Sequence, residues 1–333
     1  MSYIESAKSY TGNDLETIFF RPMLSGPSAE ELGVKIIYNM PLPTTIQLWK
    51  GQSNVLQRYT TNGWSGGSGA IKQQKTINLD RVKAELGFSA ADYFSLVFEQ
   101  IASRSDINMD DLTGSELETA ETELFRRSIA ESIRATMWVG DTDNDSGFNT
   151  FNGFLKAITE YVNDSAIPVV EYTETDLSDN EMAVGCFDEL WGKADQKLKD
   201  MKGEGQLVYF VTSDIYNLYE KYLDEKGVDS SYVDAINGRS ALMYHGIPVV
   251  DMHIGNYLAD SDYDTSFSIL TDRRNLVMAV NTSDFPGAEI RMWYNPDEME
   301  NRQRAVFMAG CDIIDEELLV YAHLTVEQEE SNE

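Results

Sequence analysis

The amino-acid sequence predicts an α+β protein that combines one long helix with strands recurring to the end of the chain. Three observations predict this class. Apolar residues recur at helical spacing over about two dozen residues after Ser115. Residues 44–83 alternate between polar and apolar side chains around a Gly/Ser-rich centre. From residue 151 onward, short helical and strand-like runs alternate, and the last runs are strands.

The charge of the chain disfavours two classes of function. Its 333 residues include 26 Lys+Arg and 56 Asp+Glu, which gives a formal net charge of −30. A dedicated nucleic-acid binder needs clustered basic residues, and so does a protein that docks on anionic lipid. The hydrophobic fraction of 42% is that of a folded protein. We therefore expect one large folded domain, or two subdomains, with an acidic surface.

Cysteine usage and the absence of membrane signals point to a soluble, reducing compartment. Cys186 and Cys311 lie far apart and outside any C-x-x-C spacing, so two buried thiols are predicted. The first ten residues lack the basic-then-apolar order of a signal peptide. No apolar run approaches the roughly 20 residues that span a bilayer.

The first 83 residues are predicted to form an extended arm, over residues 1–43, and a long two-stranded hairpin, over residues 44–83. The hairpin's only acid is Asp80, and its basic residues are Lys50, Arg58, Lys72, Lys75, Arg81 and Lys83. It therefore carries +5, and the remaining chain carries −35. Because two strands alone bury too little surface to be stable in water, we expect the hairpin to lie on an acidic surface.

Two helices are predicted next. A short one begins at Ser89, and its apolar face consists of Tyr93, Phe94, Val97, Phe98 and Ile101. A longer one begins at an S-x-x-E capping box, formed by Ser115 and Glu118, and ends at Gly140. Its apolar face consists of Leu117, Ala120, Leu124, Phe125, Ile129, Ile133 and Met137. A helix of about 23 residues is roughly 34 Å long.

The second half is predicted to mix helices and strands. One amphipathic helix carries apolar residues at positions 187–201, namely Phe187, Leu190, Trp191, Ala194, Leu198 and Met201. Residues 206–212 form a strand, after which Ser213 caps a helix that ends near Gly227. Further strands are predicted at residues 246–254, 266–271, 275–281 and 288–295, with a final pair within 304–324.

The sequence motifs give little evidence of a catalytic or metal-binding site. Residues 63–67 satisfy G-x-S-x-G around Ser65, but that motif needs a buried strand before it and a helix after it. A serine hydrolase is therefore a minor alternative. Two aspartate triplets are interpreted as solvated loops: Asp141, Asp143 and Asp145, and Asp260, Asp262 and Asp264. Neither triplet has the glycine and the glutamate at the positions that a calcium-binding loop requires.

Two further patterns do not indicate a functional site either. Gly203-Glu204-Gly205 begins a dinucleotide fingerprint that lacks its last glycine and precedes a strand instead of following one. His245, His253 and His323 are isolated, and ordinary hydrogen-bonded histidines in strands are expected. No catalytic residue, cofactor or metal is predicted.

The order of elements resembles the major capsid proteins of tailed bacteriophages, which have the Hong Kong 97-type fold. Four segments carry the resemblance: WVGDTDNDSGFNTFNGFLKAI (138–158), LMYHGIPVVDM (242–252), LTDRRNLVMAV followed by AEIRMWYN, and AVFMAGCDIIDEELLVYAHL. Each motif is short, and their order is what is specific. The encapsulin shells of protein nanocompartments share the fold and form an alternative.

The resemblance implies an N-terminal arm (1–43), an extended hairpin loop (44–83), a peripheral domain with a long spine helix (84–150 and 275–333), and an axial α/β domain (151–274). It further implies hexamers and pentamers that close into an icosahedral shell around double-stranded DNA. The shell is expected to contact this DNA only weakly and without sequence specificity. A separate scaffolding protein, a portal and decoration proteins are implied partners. The implied location is the virion, after assembly in the host cytoplasm.

Residues that contact a neighbouring subunit are predicted from charge. The hairpin candidates are Lys50, Arg58, Trp64, Lys72 and Lys75. The acidic stretch 171–190 is a candidate surface for them, and its first acids are Glu171, Glu174 and Asp176. Complementary charge of this kind fixes register between partners more than it supplies affinity.

Overall fold

The structure is a computed structural model. It describes residues 8–10, 34–38, 44–50, 71–89, 115–145, 147–173, 177, 179–227, 242–259, 261–281, 289–295, 297–298 and 300–324.

The strands, in chain order, are β1 (Lys8–Tyr10), β2 (Lys35–Tyr38), β3 (Thr44–Lys50), β4 (Ile71–Ile77), β5 (Asp80–Ser89), β6 (Val169–Tyr172), β7 (Leu207–Val211), β8 (Leu242–Tyr244), β9 (Ile247–Asp251), β10 (Phe267–Asp272), β11 (Leu276–Asn281), β12 (Glu289–Asn295), β13 (Glu300–Ile313) and β14 (Leu319–Leu324). The helices are α1 (Ser115–Val139), α2 (Phe154–Asn163), α3 (Met182–Lys193), α4 (Gln196–Asp200), α5 (Ser213–Glu225) and α6 (Gly255–Leu258), with 3₁₀ turns at Met201–Glu204 and Glu316–Leu318. The predicted α+β class is confirmed.

Sheet I is arranged around the 14-residue strand β13. The order is β1-β12-β13-β11-β2, and β5 pairs with the opposite edge of β13. One edge of β13 pairs first with β12 and then with β11, and the other edge pairs with β5 over ten residues. All these pairs are antiparallel, whereas β2 lies parallel to β11.

Sheet II has the order β6-β14-β10-β7-β9-β8 and is mixed. Strand β7 lies parallel to β9, and β6 lies parallel to β14. Every residue of β7 and β10 is buried, which means that both faces of the sheet are covered. In β7, Phe210 packs into one core and Tyr209 into another, because successive side chains point to opposite faces.

The first core lies between the two sheets and includes α1 and α2. Trp138 is fully buried, and its ring contacts Phe154 at 5.3 Å and Phe210 at 5.8 Å between ring centroids. Phe154 lies in α2 and Phe210 in sheet II, so this one side chain joins three elements. The second core lies under α3 and α5, where the Phe187 ring packs against Tyr209, Tyr219 and Tyr244.

The predicted long helix is confirmed as α1, which spans 25 residues and ends immediately before Gly140. At 1.5 Å per residue its length is about 37 Å. Phe125, Ile129, Ile133 and Met137 are buried, as the helical spacing predicts.

Two helix boundaries differ from prediction. The single helix predicted over residues 187–201 is two helices, because Ala194 is extended (ψ 142°) and the Asp195 side chain caps α4 through the backbone N–H of Lys197. The N-cap of α5 is Thr212 rather than Ser213. The Ser213 hydroxyl instead donates a hydrogen bond to Asp251 Oδ1 at 2.9 Å.

Strand β14, which the resemblance assigns to the peripheral domain, pairs with β6 and β10 in sheet II. The division into domains stays a prediction. Ser89 ends β5 instead of opening a helix. The remainder of that predicted helix lies outside the described residues.

Two glycines close the loop between α1 and α2. The N–H of Gly153 donates to the carbonyl of Gly140 at 2.8 Å, and the N–H of Gly140 donates to Thr136 O at 2.9 Å. A Cβ at Gly140 would lie 2.3 Å from Phe151 O and 2.4 Å from Thr136 O, and one at Gly153 would lie 2.7 Å from Thr136 O. The backbones therefore pass each other at a distance that only glycine permits.

The substitution Gly140→Ala is expected to lower the free energy of unfolding by about 2–4 kcal/mol, because the new methyl group meets backbone atoms that cannot move aside. The matched control is Gly185→Ala in α3, where a Cβ has nothing within 4 Å, and stability should rise by about 0.5–1 kcal/mol. Urea unfolding measures both. Equal effects at the two positions would contradict the close crossing.

Candidate functional site

The predicted hairpin is present as a two-stranded antiparallel ribbon. Strands β3 and β4 pair from Thr44↔Ile77 to Lys50↔Ile71, and seven residue pairs span about 24 Å. The ladder ends at Ile77, whereas the hairpin was predicted to continue to residue 83. Arg81 and Lys83 lie in β5 of sheet I, which leaves four basic residues and no acid over residues 44–77.

Apolar packing fixes the base of the ribbon to sheet I. Ile77 is 2% exposed and packs on Val277 and Ala279 of β11. A Cβ at Gly310 of β13 would lie 2.1 Å from Asn78 O. The link between β4 and β5 therefore crosses β13 at a position where glycine is required, and this crossing fixes where the ribbon leaves the body.

A partly buried polar cluster lies beside this crossing. Lys75 Nζ lies 3.3 Å from Asp312 Oδ1 and donates a hydrogen bond to the Tyr161 hydroxyl of α2. Burial lowers the pKa of Lys75, but the hydrogen bonds to Tyr161 and Asp312 outweigh it and raise the pKa overall. Burial raises the pKa of Asp312, and Lys75 opposes that rise. We call Lys75, Tyr161 and Asp312 the root cluster.

One residue that was predicted to contact a neighbouring subunit has its partners within its own chain. Lys75 was expected to reach a neighbouring subunit, but its ammonium is held by the root cluster. Lys50 and Lys72 lie at the ends of β3 and β4, opposite Ile71 and Trp49. The predicted candidates Arg58, Trp64, Glu174 and Asp176 lie outside the described residues, as does Ser65 of the hydrolase motif.

Several acids of the stretch 171–190 are bonded within the chain. Glu171 is exposed in β6, next to His323 of β14 in the register. Asp188 accepts a hydrogen bond from the Tyr244 hydroxyl at 2.6 Å. Glu181 lies 3.0 Å from Lys226 Nζ. The stretch therefore presents fewer unpaired acids than its sequence suggests.

A lysine bridges two aspartates of the predicted solvated loop after α1. Lys156 Nζ of α2 lies 3.0 Å from Asp141 Oδ2 and 2.8 Å from Asp143 Oδ2. Hydrogen bonds to both carboxylates raise the pKa of Lys156. Within the described residues, no group of three or more His, Cys, Asp or Glu side chains could hold a metal ion.

The histidines were expected in strands, and two of them are not. His245 (φ 49°) and His253 (φ 52°) occupy left-handed turn positions on either side of β9. His253 Nδ1 lies 3.0 Å from Asp251 Oδ2, and Asp251 also accepts from Ser213. Because the carboxylate lies between the serine and the histidine, the imidazole does not receive the Ser213 proton as a catalytic base would.

His323 does lie in a strand, and it has a charged partner. Its Nδ1 lies 3.0 Å from Asp264 Oδ2, and its ring stacks on Tyr321 at 5.4 Å between centroids. The adjacent Asp264 carboxylate raises the pKa of His323, although burial opposes the rise.

Both cysteines are free thiols, as predicted; Cys186 is buried, whereas Cys311 is half-buried. Burial raises the pKa of Cys186 to about 12 and that of Cys311 well above its ordinary value. Neither thiol is therefore activated. Among the described helices, none is both long and apolar enough to cross a membrane.

Comparison with known proteins identifies the fold. No protein-family model matches the sequence, and no curated protein matches it. A chain of the satellite phage P4 procapsid, a structure that includes the size determination protein Sid, matches with a TM-score of 0.58 at 10% identity, over 92% of this chain and 98% of that chain. The capsid of a native GTA particle and the structure of Gordonia phage Cozz each give a TM-score of 0.52 at 12% identity. They cover 90% of this chain, and 91% and 87% of their own. The chain therefore has the fold of phage capsid proteins, which confirms the resemblance.

The substitution Lys75→Ala is expected to lower the free energy of unfolding by about 1–2 kcal/mol, because it leaves Asp312 without its cation. The double variant Lys75→Ala/Asp312→Ala should lose less than the sum of the two single variants. Lys83→Ala is the control: its pair with Glu85 is 58% and 52% exposed, and its removal should leave stability nearly unchanged. Additive losses in urea unfolding would contradict a coupled root cluster.

Stability should depend on pH through His323. Because the pKa of His323 is raised in the folded state, its ion pair with Asp264 stabilises fully below the ordinary value of 6.5 and is lost as the pH rises through the folded-state pKa. The stability difference between wild type and Asp264→Asn should therefore be larger at about pH 6 than at about pH 8.5. The control His245→Asn should leave this pH dependence intact. A difference independent of pH would argue against the pair.

Proposed function

We propose that this chain is the major capsid protein of a tailed bacteriophage, a structural protein without catalytic function. Copies assemble into hexamers and pentamers of an icosahedral shell that encloses double-stranded DNA, forming the virion after assembly in the host cytoplasm. The observation that carries the proposal is the match of nearly the whole chain to a procapsid subunit, including 98% of that subunit's length. The proposal includes the Hong Kong 97-type layout of an N-terminal arm, a hairpin loop, a peripheral domain and an axial domain.

The hairpin is the element through which a subunit binds its neighbour. A two-stranded ribbon has two edges and two faces to cover, and within the described residues β3 and β4 pair only with each other. Its base is fixed by Ile77 and by the root cluster, so the ribbon holds a defined direction. A contact between one subunit's ribbon and the next subunit's body is head-to-tail, and such contacts close into rings.

Charge supports this arrangement. Residues 44–77 contain four basic residues and no acid, while the chain as a whole carries −30. Lys50, Arg58 and Lys72 remain for the neighbour, with Trp64 as an aromatic contact and Glu171, Glu174 and Asp176 as candidates on the acidic side. A scaffolding protein, a portal and decoration proteins complete the proposed set of partners.

The purified protein is expected to form particles, or capsomers of several hundred kilodaltons, that light scattering and electron microscopy detect. A monodisperse monomer at high concentration would refute the shell. Nuclease-protected DNA in particles recovered from infected cells would identify a virion shell, whereas protein cargo without DNA would identify an encapsulin-like compartment.

The hairpin is tested in the same assay. Deletion of residues 60–70, or the charge reversal Lys72→Glu, should leave a folded subunit by circular dichroism that assembles poorly. The control Lys221→Glu reverses an exposed charge on α5 and should assemble normally. Added salt should weaken assembly, because exposed charges are screened over about 8–10 Å at physiological ionic strength. Normal shells from the deletion variant would show that the hairpin is dispensable.

A further inference from the structure

One face of sheet I carries a second concentration of basic residues. The side chains of Val82, Phe307 and Ile290 point into the first core, so their neighbours in β5, β13 and β12 point outward. The register brings the outward residues together. We call this set the charged face: Arg81, Lys83, Glu85, Glu289, Arg291, Trp293, Glu300, Arg302 and Arg304.

The charged face departs from the composition of the whole chain. It holds five basic and three acidic side chains, a net charge of +2, in a protein of net charge −30. The described residues contain nine arginines, and four of them lie here. Arg291 lies over the Trp293 ring at 5.6 Å. Arginine and tryptophan are the residue types that most often carry the binding energy of protein interfaces.

Two arginines face each other across the strands at the centre of this face. Arg291 of β12 is the direct register partner of Arg304 of β13. Like charges directly opposite in a sheet destabilise it. On its other edge Arg304 is the register partner of Glu85, whose Oε1 lies 4.0 Å from Arg304 Nε, whereas Arg291 has no acid opposite it in the register. Both arginines are exposed. The pair therefore adds nothing to the stability of the isolated subunit, whereas an acidic partner would be attracted by both charges.

The pattern favours a protein partner over nucleic acid. Lys83 is paired with Glu85 at 2.9 Å, and Arg302 is paired with Glu298 and, at 3.4 Å, with Glu300. Carboxylates spread among the basic groups repel phosphates, and a net charge of +2 attracts the phosphate backbone of DNA only weakly. A mosaic of both signs around an aromatic ring matches another protein surface, where it fixes register and excludes wrong partners.

We propose that the charged face is a contact surface for the acidic body of a second copy of this chain, separate from the hairpin contact. The inference rests on the proposed function. Copies that each carry −30 repel one another, so they meet where basic residues offset the repulsion. Within the described residues, the ribbon base covers the outer side of this sheet beside β11, through Ile77 and Leu79. The charged face lies on β5, β12 and β13, where the side chains of Lys83, Arg291 and Arg304 are exposed.

Reversing one charge tests this proposal, because it separates assembly from folding. Arg291→Glu places a carboxylate opposite Arg304, so the subunit should be as stable as wild type or more stable in thermal unfolding. The concentration at which particles or capsomers form, measured by sedimentation, should rise at least tenfold. Arg291→Lys keeps the charge but loses the planar stacking on Trp293, and its effect should be intermediate.

The controls distinguish the possible failures. Lys221→Glu makes the same change of net charge on α5, away from the charged face, and should assemble like wild type. If wild type assembles and Arg291→Glu assembles equally well, the charged face is not a contact and the proposed function stands. If wild type does not assemble, the proposed function fails and this inference with it. If Arg291→Glu reduces binding to fluorescent duplex DNA but not assembly, the face serves nucleic acid and the inference is overturned.

Discussion

Strand β13 is the constraint on which the rest of the molecule depends. Its two edges are shared by three strands, and its inner face packs into the core that contains α1. Its outer face carries three features in series: the charged face around Arg304, the glycine crossing at Gly310, and Asp312 of the root cluster. A shift of register by one residue would exchange the two faces and remove all three. The hairpin, the core and the proposed contact surface therefore depend on one register.

The distribution of charge is more uneven than the sequence alone indicates. The predicted +5 on the hairpin includes Arg81, Lys83 and Asp80, which the structure assigns to β5. The ribbon over residues 44–77 has a net charge of +4, and a second basic surface lies on the body. The arginines of that surface come from segments more than 200 residues apart, and only strand pairing brings them together. A count of charges along the sequence therefore assigns Arg81 and Lys83 to the hairpin, although they belong to the charged face.

Local patterns predicted local elements well. Helix α1, the β3–β4 ribbon and most later strands follow from spacing, capping and alternation of side chains. Contacts between residues distant in sequence could not be predicted from these patterns. Strand β14 pairs with β6 and β10 in sheet II, and Lys75 is bound by Tyr161 and Asp312, which are 86 or more residues away. At Ala194 a local cap interrupts an otherwise continuous apolar face, and the spacing of apolar residues does not reveal it.

In the proposed assembly, the two contact surfaces have different physical roles. The ribbon is fixed at its base and offers backbone edges together with positive charge, so it sets the direction in which a neighbour is bound. The charged face is a rigid sheet surface with a fixed pattern of signs, so it accepts few orientations. Exposed ion pairs are individually weak and are screened by salt, and a wrongly placed subunit can therefore dissociate before further contacts form. On the proposed function, a net charge of −30 opposes every encounter between copies, so orientations that satisfy both proposed surfaces are favoured and a closed shell is selected over irregular aggregates.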